Sequence, residues 1–274
     1  MANEPARKDM ELHYALGLEE GRLFRNGKPR LEFVRTLELL ERYLPPPPAS
    51  LLDVGGGAGA YARVLANLGY QVHLIEPIPL HVEQARKAAA SQPNHPFTAT
   101  LGEAQELAAA DASVDGVLLL GPLYHLTERS ARLQALREAH RVLRRGGQAF
   151  AVGIPRFRSL ISGLFSGDLH DSYFRPIVEG DLRDGQHRNP DPAGHPERFT
   201  TAFFHRPDEL PEEMIAAGFK VEGLLGIEGP GWLVEDRWDD PDQQENILFA
   251  ARSLEAEPNL LGMNTHLLAI GRRI

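Results

Sequence analysis

Residues Leu51–Pro77, LLDVGGGAGAYARVLANLGYQVHLIEP, limit the chain's possible folds more than any other stretch. Leu51, Leu52 and Val54 form a short apolar run, the pattern of a strand buried on both faces. Gly55, Gly56, Gly57 and Gly59 break it, and helical spacing resumes over Ala60–Leu68. Gly69 stands where a helix end wants positive φ. A second strand, Val72–Ile75, ends on Glu76. A strand–glycine loop–helix–strand unit brings bare backbone and a helix N-terminus close to a ligand, and an acid at the tip of the next strand is placed to accept hydrogen bonds from a ribose. A nucleoside-type cofactor is the expectation.

At 274 residues the chain can form one large α/β domain with insertions. Its net charge of −9 argues against a general nucleic-acid-binding surface. The absence of cysteine removes disulfides, thiolate zinc sites and cysteine nucleophiles. The first residues carry no apolar signal core, and no stretch approaches the ~20 apolar residues of a membrane span, so a cytoplasmic protein without a membrane partner is expected.

Along the chain, residues 1–12 are polar and read as loose. Asn26–Pro29 reads as a turn, Arg30–Leu44 has helical spacing, and four prolines, Pro45–Pro48, stop it. After Glu76 the pattern predicts a helix over Leu80–Ala90 and strands at Phe97–Leu101 and Val114–Leu120. A helix capped by Thr127 and closed by Gly146-Gly147 follows, with Arg144 and Arg145 in its last turn. A fifth strand covers Gln148–Ile154. From Pro155 to about Thr200 regularity fails, as expected of a loop-rich lid or binding element, apart from an apolar patch at Leu160–Phe165. A helix at Pro207–Ala217, a strand at Phe219–Ile227, a helix opened by Asp240-Pro241 and a strand at His266–Ile270 complete the chain. Strands alternating with helices argue for a parallel sheet covered on both sides.

The glycine loop has two readings. Gly55, Gly57 and Ala60 fit G-x-G-x-x-A, a permitted dinucleotide fingerprint, which keeps an NAD(P)-dependent oxidoreductase in play. The second reading uses more of the chain. Asp53, Gly55, Gly57 and Gly59 give D-x-G-x-G-x-G, which closely resembles the first motif of class I S-adenosylmethionine-dependent methyltransferases. Glu76-Pro77, Gly102–Leu107 (GEAQEL), Val114–Leu120 (VDGVLLL), Tyr124-His125-Leu126 and Leu136–Gly147 (LREAHRVLRRGG) resemble that family's later motifs, in order and at compatible spacing. The resemblance covers about residues 50–155 and the terminal strands. It is to the small-molecule members, among them the ubiquinone and menaquinone methyltransferases.

The resemblance implies a Rossmann-like, doubly wound α/β fold: a seven-stranded sheet with an antiparallel last strand, a helical N-terminal cap and a lid insertion after the fifth strand. One methyltransferase domain would span residues 1–274, with a cap at 1–48, a cofactor-binding core at 49–156, a lid at 157–200 and the rest of the core at 201–274. It further implies that Asp53 and the backbone of Gly55, Gly56, Gly57 and Gly59 face the methionine part of S-adenosyl-L-methionine. Glu76, followed by Pro77, would hold the ribose, with Glu103 and Ala104 by the adenine and Leu120 and Gly121 on its other side. The product would be S-adenosyl-L-homocysteine, and the partner a small-molecule methyl acceptor, modified at oxygen, nitrogen or carbon by a monomer or homodimer. A non-catalytic module that keeps the cofactor site is the third reading.

His125, just past the fourth strand, is the candidate catalytic base, against the plainer role of hydrogen bonding near a helix start. Tyr14 is placed to fold over the cofactor or simply to pack. Arg22 and Arg25 are candidates for an anion, or solvated surface. His170, Asp171, His187, His195 and His205 match no compact ligand spacing, so no metal is expected. Tyr173, Phe174, Phe199, Phe203 and Phe204, with Trp232 and Trp238, would wall an apolar pocket or form a small core of their own.

Overall fold

A computed structural model describes residues 4–17, 19, 21–24 and 28–274. Two helices, α1 (Glu4–Tyr14) and α2 (Lys28–Tyr43), precede the alternating unit β1 (Ser50–Val54), α3 (Ala60–Asn67), β2 (Gln71–Glu76), α4 (Pro79–Ala90), β3 (Thr98–Leu101) and β4 (Val114–Leu119). Then come α5 (Pro122–His125), α6 (Arg129–Val142), β5 (Leu143–Pro155), α7 (Arg158–Ser166), α8 (Phe174–Asp184), β6 (Gln186–His187) and β7 (Ala202–His205). The chain ends with α9 (Glu209–Ala216), β8 (Lys220–Gly226), α10 (Pro241–Leu254) and β9 (Leu267–Arg272).

Strands β3, β2, β1, β4 and β5 lie side by side in parallel. β9 then pairs antiparallel with β5, and β8 antiparallel with β9. This is the seven-stranded sheet with an antiparallel last strand expected from the sequence. β5 outlasts β9: its tip, Ile154–Pro155, pairs with β7, which pairs with β6, adding two short strands inside the insertion.

The near-continuous apolar strands follow from burial on both sides. Successive side chains alternate between faces, so Leu51 packs with Leu39, Leu65, Leu74 and Phe150, while Leu52 packs with Val117, Leu136, Ala139 and Met214. Among the described residues no helix is long and apolar enough to cross a membrane.

Four sequence expectations need correction. Residues 4–14 form α1 rather than a loose segment. Arg7–Glu11 pair one turn apart, while Asp9 accepts a hydrogen bond from Thr201 Oγ1 at 2.7 Å. Glu128, not Thr127, occupies the N-cap of α6, with no side-chain bond; Thr127 is buried, and its carbonyl accepts from Arg132 and Gln186. That helix ends at Val142, and Arg144 and Arg145 lie in β5, where Gly146 takes positive φ beside a register shift against β4. The stretch after Pro155 is not loop-rich. It contains α7 and α8, both ended by left-handed glycines, Gly167 and Gly185.

Tyr173 and Phe174 join Ile177, Val178, Leu160 and Leu169 in a small core within this insertion. Phe204 packs with Ile154 and Ala202 against Phe199, and Phe203 lies under the Arg132 guanidinium, 3.7 Å from its ring centre. Trp232 donates to the Met263 carbonyl, and Trp238 packs with Leu31, Ile247 and Leu248.

Candidate active site

The carboxyl ends of β1, β2 and β4, with α1 laid across them, enclose a cavity of about 470 Å³. Open α/β sheets bind ligands at this edge because the loops there diverge and helix N-termini point into the gap. Tyr14, Asp53, Gly55, Gly56, Gly57, Gly59, Glu76, Pro77, Glu103, Ala104, Leu120, Gly121 and His125 all line it.

The loop geometry explains its glycines. Gly55, Gly57 and Gly59 take positive φ. Gly56 is required for space: a Cβ there would lie 2.5 Å from Asp53 Oδ2 and 2.7 Å from Leu74 Cδ1. Asp53 is 1% exposed, and neither of its carboxylate oxygens has a hydrogen-bond partner among the described residues. Burial, and then the nearby Glu76 carboxylate, pushes its pKa up to about 7, with the Ala62 backbone amide a smaller influence in the opposite direction. Glu76 is well supplied instead. It accepts from the Gly57 amide at 3.0 Å and the Ile78 amide at 3.1 Å, with His81 Nδ1 at 3.3 Å.

Across the cavity the Tyr14 hydroxyl lies 2.8 Å from His125 Nε2, while His125 Nδ1 is buried without a partner among the described residues. Burial, and then His13 and His81, lowers the His125 pKa to about 3. Glu103 is ion-paired with Arg7 of α1. Arg22 donates from Nε to Glu19 and from both terminal nitrogens to Glu32, so its fork is committed. Arg25 lies outside the described residues.

The five metal candidates of the sequence are not brought together. His170 bonds the Gly167 carbonyl, Asp171 pairs with Arg198, His187 is buried against Asp181, His195 is exposed near Glu197, and His205 lies 3.5 Å from Glu213. None of the aromatic residues singled out in the insertion lines the cavity, nor do Trp232 and Trp238.

The sequence did not single out the inner end of the cavity, where Glu32, Thr36, Val152, Ile227 and His266 join Tyr124. A topological signal was available: the antiparallel last strand starts at the edge where parallel strands end, which puts the residue opening β9 in the ligand cleft.

Seven strands, a glycine loop and an acid at the tip of β2 define a Rossmann-like α/β fold with its cleft at the carboxyl edge of the sheet. Residues 52–151 match the methyltransferase domain family. An uncharacterised methyltransferase of Mycobacterium tuberculosis is 30% identical over 203 residues, 73% of this chain and 71% of that one. The chain therefore belongs to the class I S-adenosylmethionine-dependent methyltransferases, and the oxidoreductase reading of the loop gives way. Among solved structures, a possible histamine N-methyltransferase of Thermotoga maritima superposes with a TM-score of 0.58 at 18% identity, covering 96% of this chain and 97% of that one. A geranyl diphosphate C-methyltransferase of Streptomyces coelicolor, solved with S-adenosyl-L-homocysteine, gives a TM-score of 0.56 at 11% identity, covering 88% and 79%. At these identities the likeness is one of fold.

Proposed function

We propose that the protein transfers the methyl group of S-adenosylmethionine to a small-molecule acceptor, with S-adenosylhomocysteine as product. The observation that carries this reading is the orphaned Asp53 carboxylate beneath the glycine loop. A buried carboxyl group whose oxygens have no hydrogen-bond partner of normal geometry among the described residues fits a ligand that brings a donor, and the ammonium of the methionine moiety does so. Gly55–Gly59 would pass the methionine end close to the backbone. Glu76, next to Pro77, would exchange its Gly57 contact for the ribose hydroxyls. Glu103 and Ala104 would flank the adenine opposite Leu120 and Gly121, with Tyr14 closing over from α1.

The cofactor supplies a methyl group on a positively charged sulfur that leaves as a neutral thioether. The chain's part is to hold the acceptor in line and keep water out. His125 suits that part better than proton abstraction, because a group with a pKa of about 3 takes a proton poorly at neutral pH. We read residues 1–274 as one methyltransferase domain, a cytoplasmic monomer or homodimer. Residues 157–200 would form a lid over the site, without lining the cavity itself.

Calorimetry with S-adenosylmethionine and S-adenosylhomocysteine, with NAD as control, tests the cofactor. No heat from either sulfur compound at high micromolar concentration sinks the reading. Transfer of labelled methyl into a deproteinised cell extract tests catalysis, and tight binding without transfer would favour a non-catalytic binding module.

A further inference from the structure

The cavity has two ends. Asp53, Glu76 and Glu103 belong to the side of β1, β2 and β3. Beyond Tyr124 the cavity continues past Val152 of β5 to Ile227, just after β8, and His266, just before β9. None of these inner residues is needed to hold the cofactor in the reading above, so this end is where an acceptor fits.

The inner end contains a built hydrogen-bonded pair. Glu228 is fully buried. Its Oε2 accepts the His266 backbone N–H at 3.0 Å, and its Oε1 lies 2.5 Å from His266 Nδ1. A carboxylate oxygen only accepts, so this contact selects the tautomer with the proton on Nδ1 and the lone pair on Nε2. Nε2 has no hydrogen-bond partner among the described residues, and His266 lines the cavity. The other charged and titratable groups around the pair include Glu32 of α2, Arg22, Tyr61 of α3, Tyr124 of α5 and Arg158 of α7. Glu32 brings a carboxylate oxygen within 4.8 Å of the pair's own atoms. Arg22, whose fork holds Glu32, and Tyr124 line the same cavity. The Arg158 charge acts on both Glu228 and Glu32.

We propose that His266 is the general base of the reaction, positioned by Glu228, and that the acceptor it serves is a hydroxyl compound. The proposal rests on the methyltransferase reading above. A neutral amine attacks a methyl group without first losing a proton, whereas a hydroxyl is a weak nucleophile until a base takes its proton. A base with its tautomer fixed by a buried carboxylate is therefore what a hydroxyl acceptor needs. The hydroxyl proton passes to His266 Nε2 as the oxygen bonds the methyl carbon. The carbon–sulfur bond breaks with its electron pair left on sulfur. The imidazolium, facing the Glu228 carboxylate, then releases the proton to water.

Long-range 1H–15N NMR of the imidazole nitrogens, on the free protein and with S-adenosylhomocysteine, tests the pair directly. The expected result at pH 7.5 is the Nδ1–H tautomer for His266, lost in Glu228→Gln. Diethyl pyrocarbonate should carbethoxylate His266 in the wild type and do so about tenfold more slowly in Glu228→Gln. His266→Ala should bind S-adenosylhomocysteine as the wild type does, yet transfer labelled methyl to the extract about 10²-fold more slowly, with the rise of rate with pH flattened. An Nε2–H tautomer, an unreactive His266, or a His266→Ala variant with wild-type transfer rate would each overturn the proposal. Failure of the wild type to bind S-adenosylhomocysteine would fall on the methyltransferase reading instead, since the tautomer and the carbethoxylation of the free protein are read without cofactor.

Discussion

The Tyr14 hydroxyl and His125 Nε2, 111 residues apart in the chain, lie 2.8 Å from one another. Their bond joins α1 to α5 across the cavity, and Arg7–Glu103 and Asp9–Thr201 fasten the same helix at two more points. Tyr14→Phe leaves a buried ring nitrogen without its partner, so S-adenosylhomocysteine should bind roughly tenfold more weakly. In a double-mutant cycle with His125→Ala the two losses should not add. Full additivity by calorimetry would show that the bond does not hold the site together.

Asp53 gives a pH signature. Its pKa is raised in the folded protein, so the unfolded chain holds its proton less tightly. Stability from this group is present below about pH 4 and is lost as pH rises to about 7. Asp53→Asn should therefore be the more stable protein at pH 8, by an amount on the order of 4 kcal/mol at most, while binding cofactor more weakly. The ammonium of the cofactor would favour the ionised carboxylate. Binding near pH 6.5 should thus release a proton, seen as calorimetric heats that vary with the buffer's ionisation enthalpy. Heats independent of buffer would separate Asp53 from the cofactor.

Gly56→Ala should cost affinity more than fold. The added methyl meets the Asp53 carboxylate and Leu74 at the floor of the loop, so the loop must lift. Binding of S-adenosylhomocysteine should fall tenfold or more, with a stability loss of about 1–3 kcal/mol. Wild-type affinity in this variant would mean that the loop backbone does not approach the ligand.

Arg132 and Glu213 tie α6 to α9 away from the cavity. Both are buried and doubly hydrogen-bonded. Burial alone would raise the Glu213 pKa, but His205 and Arg132 outweigh it and lower it to about 2. The stabilisation is present above about pH 4.5 and is lost as pH falls toward 2. Arg132→Met strands a buried carboxylate and should cost about 3–5 kcal/mol in urea unfolding near neutral pH. The midpoint should recover relative to wild type in acid. A loss under 1 kcal/mol would mean that water reaches Glu213.

The local half of the fold was legible from the start. Seven strands follow from short apolar runs, and the helices between them from spacing and glycine stops, because burial on both faces of a sheet leaves little freedom in composition. α1 was not legible, since its polar sequence is held by Arg7, Asp9 and Tyr14 reaching partners far along the chain. Nor were α7 and α8, whose apolar residues close a small core that forms only when the two helices meet.

By itself the sequence determined the glycine loop, Asp53 beneath it, Glu76 one strand later and the family they belong to, because these features lie within a single continuous unit. Only the tertiary structure decided the surroundings of the histidines. His125 is shut in beside Tyr14, His13 and His81, which holds it neutral, whereas His266 meets Glu228 from the neighbouring strand end and lines the cavity. A side chain's proton affinity depends on its burial and its partners, and topology supplies both.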